Sequence, residues 1–174
     1  KYNVREKKIK TNSSIYQLVD FYTIFYNTFT NKSIVEDNFW TRNVNTPEIT
    51  AWYGLAFERL CKAHMSQIKS ALGISSVYAE FYTWKTNNIE GGAQIDIIID
   101  RADNTINLCE VKYCEDLYSL DKEEFLKIQN RISAFKNVTG TRSSIIPTMI
   151  TTFGMKNGMY SDQIISKLDM DALF

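Results

Sequence analysis

Three residues of this sequence have types and spacing suited to chemistry: Asp96, Glu110 and Lys112. Asp96 closes the run Gln94-Ile95-Asp96, and Glu110-Val111-Lys112 follows beyond a short polar segment. Two carboxylates brought together repel each other unless positive charge lies between them. As a pair they form a hard oxygen site suited to Mg²⁺ or Mn²⁺. An ammonium at the same place can orient or activate a water, or stabilise charge developing on a phosphate. Cation, water and ammonium around a phosphodiester make a hydrolysis site.

The flanking residues say how these groups are brought together. Residues 93–100 and 106–113 are β-branched and apolar, and both read as strands. Between them lies Arg101-Ala102-Asp103-Asn104-Thr105, a polar turn with Asp-Asn at its centre. A hairpin turning symmetrically about Asp103 sets Asp96 opposite Glu110 and Gln94 opposite Lys112. Opposed residues share a face of the sheet. All four polar side chains then lie on one side. Ile95, Ile97, Ile99, Cys109 and Val111 form the apolar other side.

The remaining elements follow from periodicity. Residues 15–29 carry Val19, Tyr22, Phe25, Tyr26 and Phe29 at three- and four-residue steps, which predicts a helix with one buried stripe. Residues 30–50 are polar and read as a connector and subdomain boundary. A second helix is predicted over 51–71, with Thr50 as its cap and Gly73 at its end. Residues 77–84 read as a strand, 120–135 as a helix with Phe125, Ile128, Ile132 and Phe135 on one stripe, and 144–153 as a strand. Gly154 to Gly158 is a turn. A short strand and a helical turn are expected between 162 and 174. From residue 51 the order is α, β, β, β, α, β, which fits an α/β class with helices around one sheet.

Bulk properties narrow the functional classes. The 174 residues suffice for one domain with a small appendage. Formal net charge is zero, so any surface for nucleic acid must be local. No apolar run approaches the ~20 residues of a membrane span, and no membrane partner is expected. No signal peptide is visible. Three cysteines, Cys61, Cys109 and Cys114, form neither a disulfide framework nor a usual zinc spacing, so a cytoplasmic setting is expected. The chain does not open with Met and is expected to be a fragment of a longer protein.

The segments around Asp96 and Glu110-Val111-Lys112 resemble the PD-(D/E)XK nuclease superfamily, whose Asp and Glu-x-Lys lie on adjacent strands of a restriction-endonuclease-like sheet. Ile95 stands where the motif's Pro would be. That superfamily often adds a Glu from the preceding helix, and Glu58 holds this place. More narrowly, the runs AWYGLAFERLC, GAQIDIIIDR, INLCEVKY, MITTFG and LDMDALF resemble the C-terminal region of a bacterial AAA-type ATPase family. There a P-loop ATPase module and a winged-helix segment precede a nuclease-like domain. The resemblance covers nearly the whole chain. It implies a mixed sheet flanked by helices over 51–174. It also implies an N-terminal extension over 1–50, made of the end of a winged-helix segment, the aromatic helix and a linker. The implied activity is cleavage of DNA, with Asp96 and Glu110 holding Mg²⁺ or Mn²⁺, Lys112 positioning water or phosphate, and Glu58 and Gln94 assisting. The implied partner is the ATPase module of the same full-length protein. This chain has no phosphate-loop motif of its own.

Each of these residues also has a plainer reading. Asp96, Glu110 and Lys112 can be a solvated hairpin face with an ion pair. Glu58 can pair with Lys62 one helical turn on. Gln94 can be edge-strand polarity. His64 has no partner histidine and reads as packing or surface. Gln129, Asn130 and Arg131 on the following helix can add phosphate contacts. Arg5, Lys7, Lys8 and Lys10 can be a wing touching DNA or a solvated arm. A nuclease fold that has lost catalysis, and that binds nucleic acid or regulates or assembles the ATPase, stays open as the alternative. So does the oligomeric state.

Overall fold

The computed structural model describes residues 18–30, 37–87 and 92–174. The basic start with Arg5, Lys7, Lys8 and Lys10 lies outside these residues. So does the first part of the predicted aromatic helix.

The described residues build a five-stranded sheet in the order β1-β2-β3-β4-β5. Its strands are β1 (Ala79–Thr86), β2 (Ala93–Arg101), β3 (Thr105–Lys112), β4 (Ser144–Thr151) and β5 (Ser166–Leu168). The first three pair antiparallel, whereas β4 and β5 join in parallel. The class is therefore α/β with a mixed sheet flanked by helices. Both faces of the central strands are covered, which explains their near-continuous apolar runs.

Helix α3 (Pro47–Ala63) and helix α4 (Met65–Ala71) cover one face. Phe57, Cys61 and Ile68 from these helices pack on Ile97, Ile99, Cys109 and Val111. Helix α5 (Lys122–Thr139) covers the other face, where Ala134 and Phe135 meet Trp84, Ile98 and Leu108. Asp121 caps α5 by accepting the Glu124 N–H, and Gly140 ends it at φ 64°.

Two short N-terminal helices, α1 (Phe21–Phe25) and α2 (Phe39–Asn43), lean on the start of α3. Phe25 and Phe29 pack against Trp40 and Trp52, with ring centroids 5.2 to 5.8 Å apart. The predicted buried stripe is only half realised. Val19 and Tyr22 are 74% and 73% exposed, and Tyr26 is exposed as well. Val19 precedes α1, which begins only at Phe21, and beyond Phe25 the chain passes into a π turn over Tyr26–Thr30 that changes the rotation per residue; Phe25 and Phe29 are the residues of the stripe turned inward.

The predicted helix over 51–71 is two helices that meet at His64. There Nδ1 lies 2.9 Å from the Leu60 carbonyl and the ring packs on Phe174. Its start is also earlier than expected. Thr46, not Thr50, supplies the cap, and Pro47 occupies the first helical position, where its missing N–H is not needed. The boundary drawn between residues 50 and 51 thus falls inside the first turn of α3.

The hairpin has the register read from its turn. Ile97 pairs with Cys109, Ile98 with Leu108, Ile99 with Asn107 and Asp100 with Ile106. Asn104 makes the turn at φ 59°, a conformation asparagine tolerates. The regular pairing stops at Ile97, so the expected pairs of Asp96 with Glu110 and Gln94 with Lys112 are not part of the ladder. Between Tyr82↔Ile98 and Trp84↔Ile95, strand β2 advances one residue more than β1, which is a β-bulge. The bulge reverses the phase of β2, so Ile95 joins Ile98 on the α5 face instead of Ile97 and Ile99. The expected apolar face of five residues is therefore four plus one.

Candidate functional site

Asp96 sits in the bulge. Its Oδ2 accepts the Val111 N–H at 3.0 Å, at the fork where β2 and β3 part. A carboxylate thereby replaces a main-chain carbonyl in the ladder. Bulges near functional sites re-aim a side chain in this way. Past the fork lies a cleft of about 360 Å³ between β3 and α3. Asp96, Glu110, Lys112 and Tyr113 line its sheet side. Thr50, Ala51, Gly54, Leu55 and Glu58 line its helix side.

Four of the five residues singled out from the sequence therefore share one cleft: Glu58, Asp96, Glu110 and Lys112. Gln94 does not. It is exposed, pairs with Lys85, and lines a separate recess with Thr86, Asn87 and Arg131. The bulge explains the separation, because it breaks the alternation that would have kept Gln94 in phase with Asp96.

Glu110 is buried with only 9% of its surface exposed, and two cations hold it. Arg131 Nη1 of α5 lies 2.5 Å from Glu110 Oε1, as an ion pair without an aligned N–H···O bond. Lys112 Nζ lies 3.4 Å from the same oxygen. Lys112 also lies 3.5 Å from Glu124 Oε2. Glu124 is in turn held by Lys127 at 2.8 Å, and that hydrogen bond keeps its carboxyl below the usual range, helped by Lys112. Glu58 pairs with Lys62, as its helical spacing anticipated, while still lining the cleft.

The electrostatics centre on Asp96. Burial pushes its carboxyl up to about 6, the charge of Glu110 adds to this, and Glu58 contributes further. The Val111 N–H and Arg131 oppose the rise. A carboxyl raised by burial and by a neighbouring carboxylate is a candidate place for added positive charge.

The donor set suits a hard divalent cation. Asp96 and Glu110 offer carboxylate oxygens in a cleft with room for water. No cysteine lines the cleft, and burial pushes the Cys61 thiol up to about 12 and raises Cys109 as well. Among the described residues no group of three or more His, Cys, Asp or Glu side chains stands close enough to hold a metal ion alone. Two carboxylates alone could serve only a cation that keeps water and substrate oxygens, as Mg²⁺ commonly does.

Two residues escaped the sequence reading: Glu124, which contacts Lys112, and Tyr113, which lines the cleft. Glu124 had a signal, the Asp121-x-x-Glu124 start of α5, but that signal marks a helix end and not a contact with Lys112. Tyr113 was read only as the end of a strand. Arg131, noted as a phosphate contact, is instead seated on Glu110.

Neither protein-family models nor curated proteins yield a match to this chain. Among solved structures the chain is similar to the crystal structure of a protein of unknown function, AF1548, at 14% identity and a TM-score of 0.44. The match covers 66% of this chain and 64% of that one, so the chain spans less than two thirds of its neighbour's length. No helix among the described residues is long and apolar enough to cross a membrane.

Proposed function

We propose that this cleft is a metal-dependent site for hydrolysing DNA phosphodiester bonds, on a restriction-endonuclease-like fold. The observation that carries the reading is the meeting of Asp96, Glu110, Glu58 and Lys112 in one cleft, with Asp96 raised to about 6 by burial and by the Glu110 charge. Asp96 and Glu110 would hold Mg²⁺ or Mn²⁺. A bound cation supplies Lewis-acid stabilisation of charge developing on the phosphate. Lys112, held between Glu110 and Glu124, orients a water or meets a phosphate oxygen. Arg131 fixes the Glu110 carboxylate, and Glu58 adds negative charge from α3. In the full-length protein this domain would serve an attached AAA-type ATPase, in a cytoplasmic setting that suits three free cysteines.

One observation favours a second reading. Glu110 already has Arg131 and Lys112 as counter-charges, so part of the cation's work is done internally. A module of this kind would bind nucleic acid, or regulate or assemble the ATPase, without cutting. A nicking assay on circular single-stranded DNA and on supercoiled plasmid, with Mg²⁺ or Mn²⁺, separates the two. Hydrolysis requires nicking that EDTA stops and that Lys112→Ala lowers by at least about 100-fold, the scale of losing one positioned electrostatic group. DNA binding with no nicking by the parent chain decides for the second reading.

A further inference from the structure

Tyr113 follows Lys112 directly and lines the cleft beside it. Its ring packs on Tyr53 of α3, with centroids 5.2 Å apart and planes 35° apart. Tyr53 in turn meets Trp52, which belongs to the aromatic cluster of Phe25, Phe29 and Trp40. Tyr113 thus has a firm backing and is still half-buried at the cleft, not sealed in the core. Across from it, the helix side of the cleft is built small at Thr50, Ala51 and Gly54, with Leu55 53% exposed. A Cβ added to Gly54 would meet nothing within 4 Å, so packing within the chain does not demand a glycine there. A mid-helix glycine has a conformational cost, and here it leaves open the space beside Tyr113 and Lys112.

Resting on the reading of the cleft as a phosphodiester site, we propose that Tyr113, backed by Tyr53, is the stacking ledge for an unpaired base of the bound DNA strand. An ammonium one residue away meets the backbone phosphate, and the ring meets the base. Bases in a duplex have both faces covered by their neighbours, so only an unstacked base can lie on such a ring. The substrate class is therefore single-stranded DNA, or a duplex with a frayed or unpaired end, and not an intact duplex.

Fluorescence anisotropy at fixed salt, with Ca²⁺ in place of Mg²⁺, compares a labelled oligo(dT) with a blunt duplex of equal length. The parent chain binds oligo(dT) more tightly than the duplex. Tyr113→Leu and Tyr53→Leu each weaken oligo(dT) binding by about tenfold while duplex binding changes by less than twofold, and Tyr113→Phe keeps the parent affinity. Thermal melting confirms that each variant is folded, and Tyr113→Thr or Tyr53→Thr replaces a leucine variant that is not. Equal losses on both ligands, no loss on oligo(dT) in a folded leucine or threonine variant, or a large loss in Tyr113→Phe overturns the ledge and leaves the hydrolytic reading intact. Failure of the parent chain to bind either ligand overturns the hydrolytic reading itself.

Discussion

Asp96 is a residue through which pH acts on this molecule. Its carboxyl rises from 3.8 to about 6 on folding, through burial first and the Glu110 charge second. The folded state therefore holds this proton more tightly than the unfolded chain does. Its contribution to stability is complete below about 3.8 and is lost as pH rises through about 6. Asp96→Asn removes the titration and can still accept the Val111 N–H. Urea denaturation should find Asn more stable than the parent by roughly 1–2 kcal/mol at pH 7, a part of the ~1.4 kcal/mol per pKa unit allowed for incomplete burial. At pH 4 the two should agree. A pH-independent difference would mean that the charge of Asp96 is not what burial and Glu110 act upon. Asp96, Glu110 and Lys112 were singled out from alternation, a turn length and a motif resemblance, although the bulge replaces the expected pairing of Asp96 with Glu110. The partners of Glu110 needed more: Arg131 reaches it from a helix on the other layer, and nothing in the local pattern announces that pairing.

Among the elements, the hairpin is the one most completely specified locally. Its register follows from the Asp103-Asn104 turn, and the ladder from Ile97↔Cys109 to Asp100↔Ile106 matches it. The bulge beyond Ile97 was not readable from these residues, because it arises in the pairing of β2 with β1, a strand separated from β2 by a further loop. That bulge sends Ile95 to the α5 face and Gln94 to a different recess. Helix α3 shows the reverse case. Thr46-Pro47 was a usable start signal that the polar composition of its neighbourhood obscured. Within α3, Gly54 separates stability from use. Gly54→Ala should stabilise the chain by about 0.5–1 kcal/mol, since alanine favours helix and its Cβ meets no protein atom. The same methyl group intrudes on the cleft, so nicking should fall by more than twofold while the melting temperature rises. A drop in melting temperature would show that the glycine serves the fold.

At the scale of the whole molecule, a sheet buried on both faces opens at one end, and the cleft occupies that opening. The sheet holds Glu110 and Lys112, the bulge delivers Asp96, and α3 closes the other side with Glu58. The aromatic cluster that ties α1 and α2 to α3 ends at Tyr53 and Tyr113, so the N-terminal segment bears on the cleft through packed rings. The order of strands and helices along the chain was accessible from sequence because hydrophobic periodicity reports burial, whereas the order of strands in the sheet was not. The cleft was not, because it depends on where two layers part. The central claim is that Asp96 and Glu110 bind a divalent cation together. Calorimetric titration of Mn²⁺ into the parent chain and into Asp96→Asn/Glu110→Gln, at pH 7.5 and 5.5, tests it most directly. Expected are one site in the parent at pH 7.5, weaker binding at pH 5.5 where a proton competes for Asp96, and no binding in the double variant. Binding that survives in the double variant, or no binding by the parent at either pH, would contradict it.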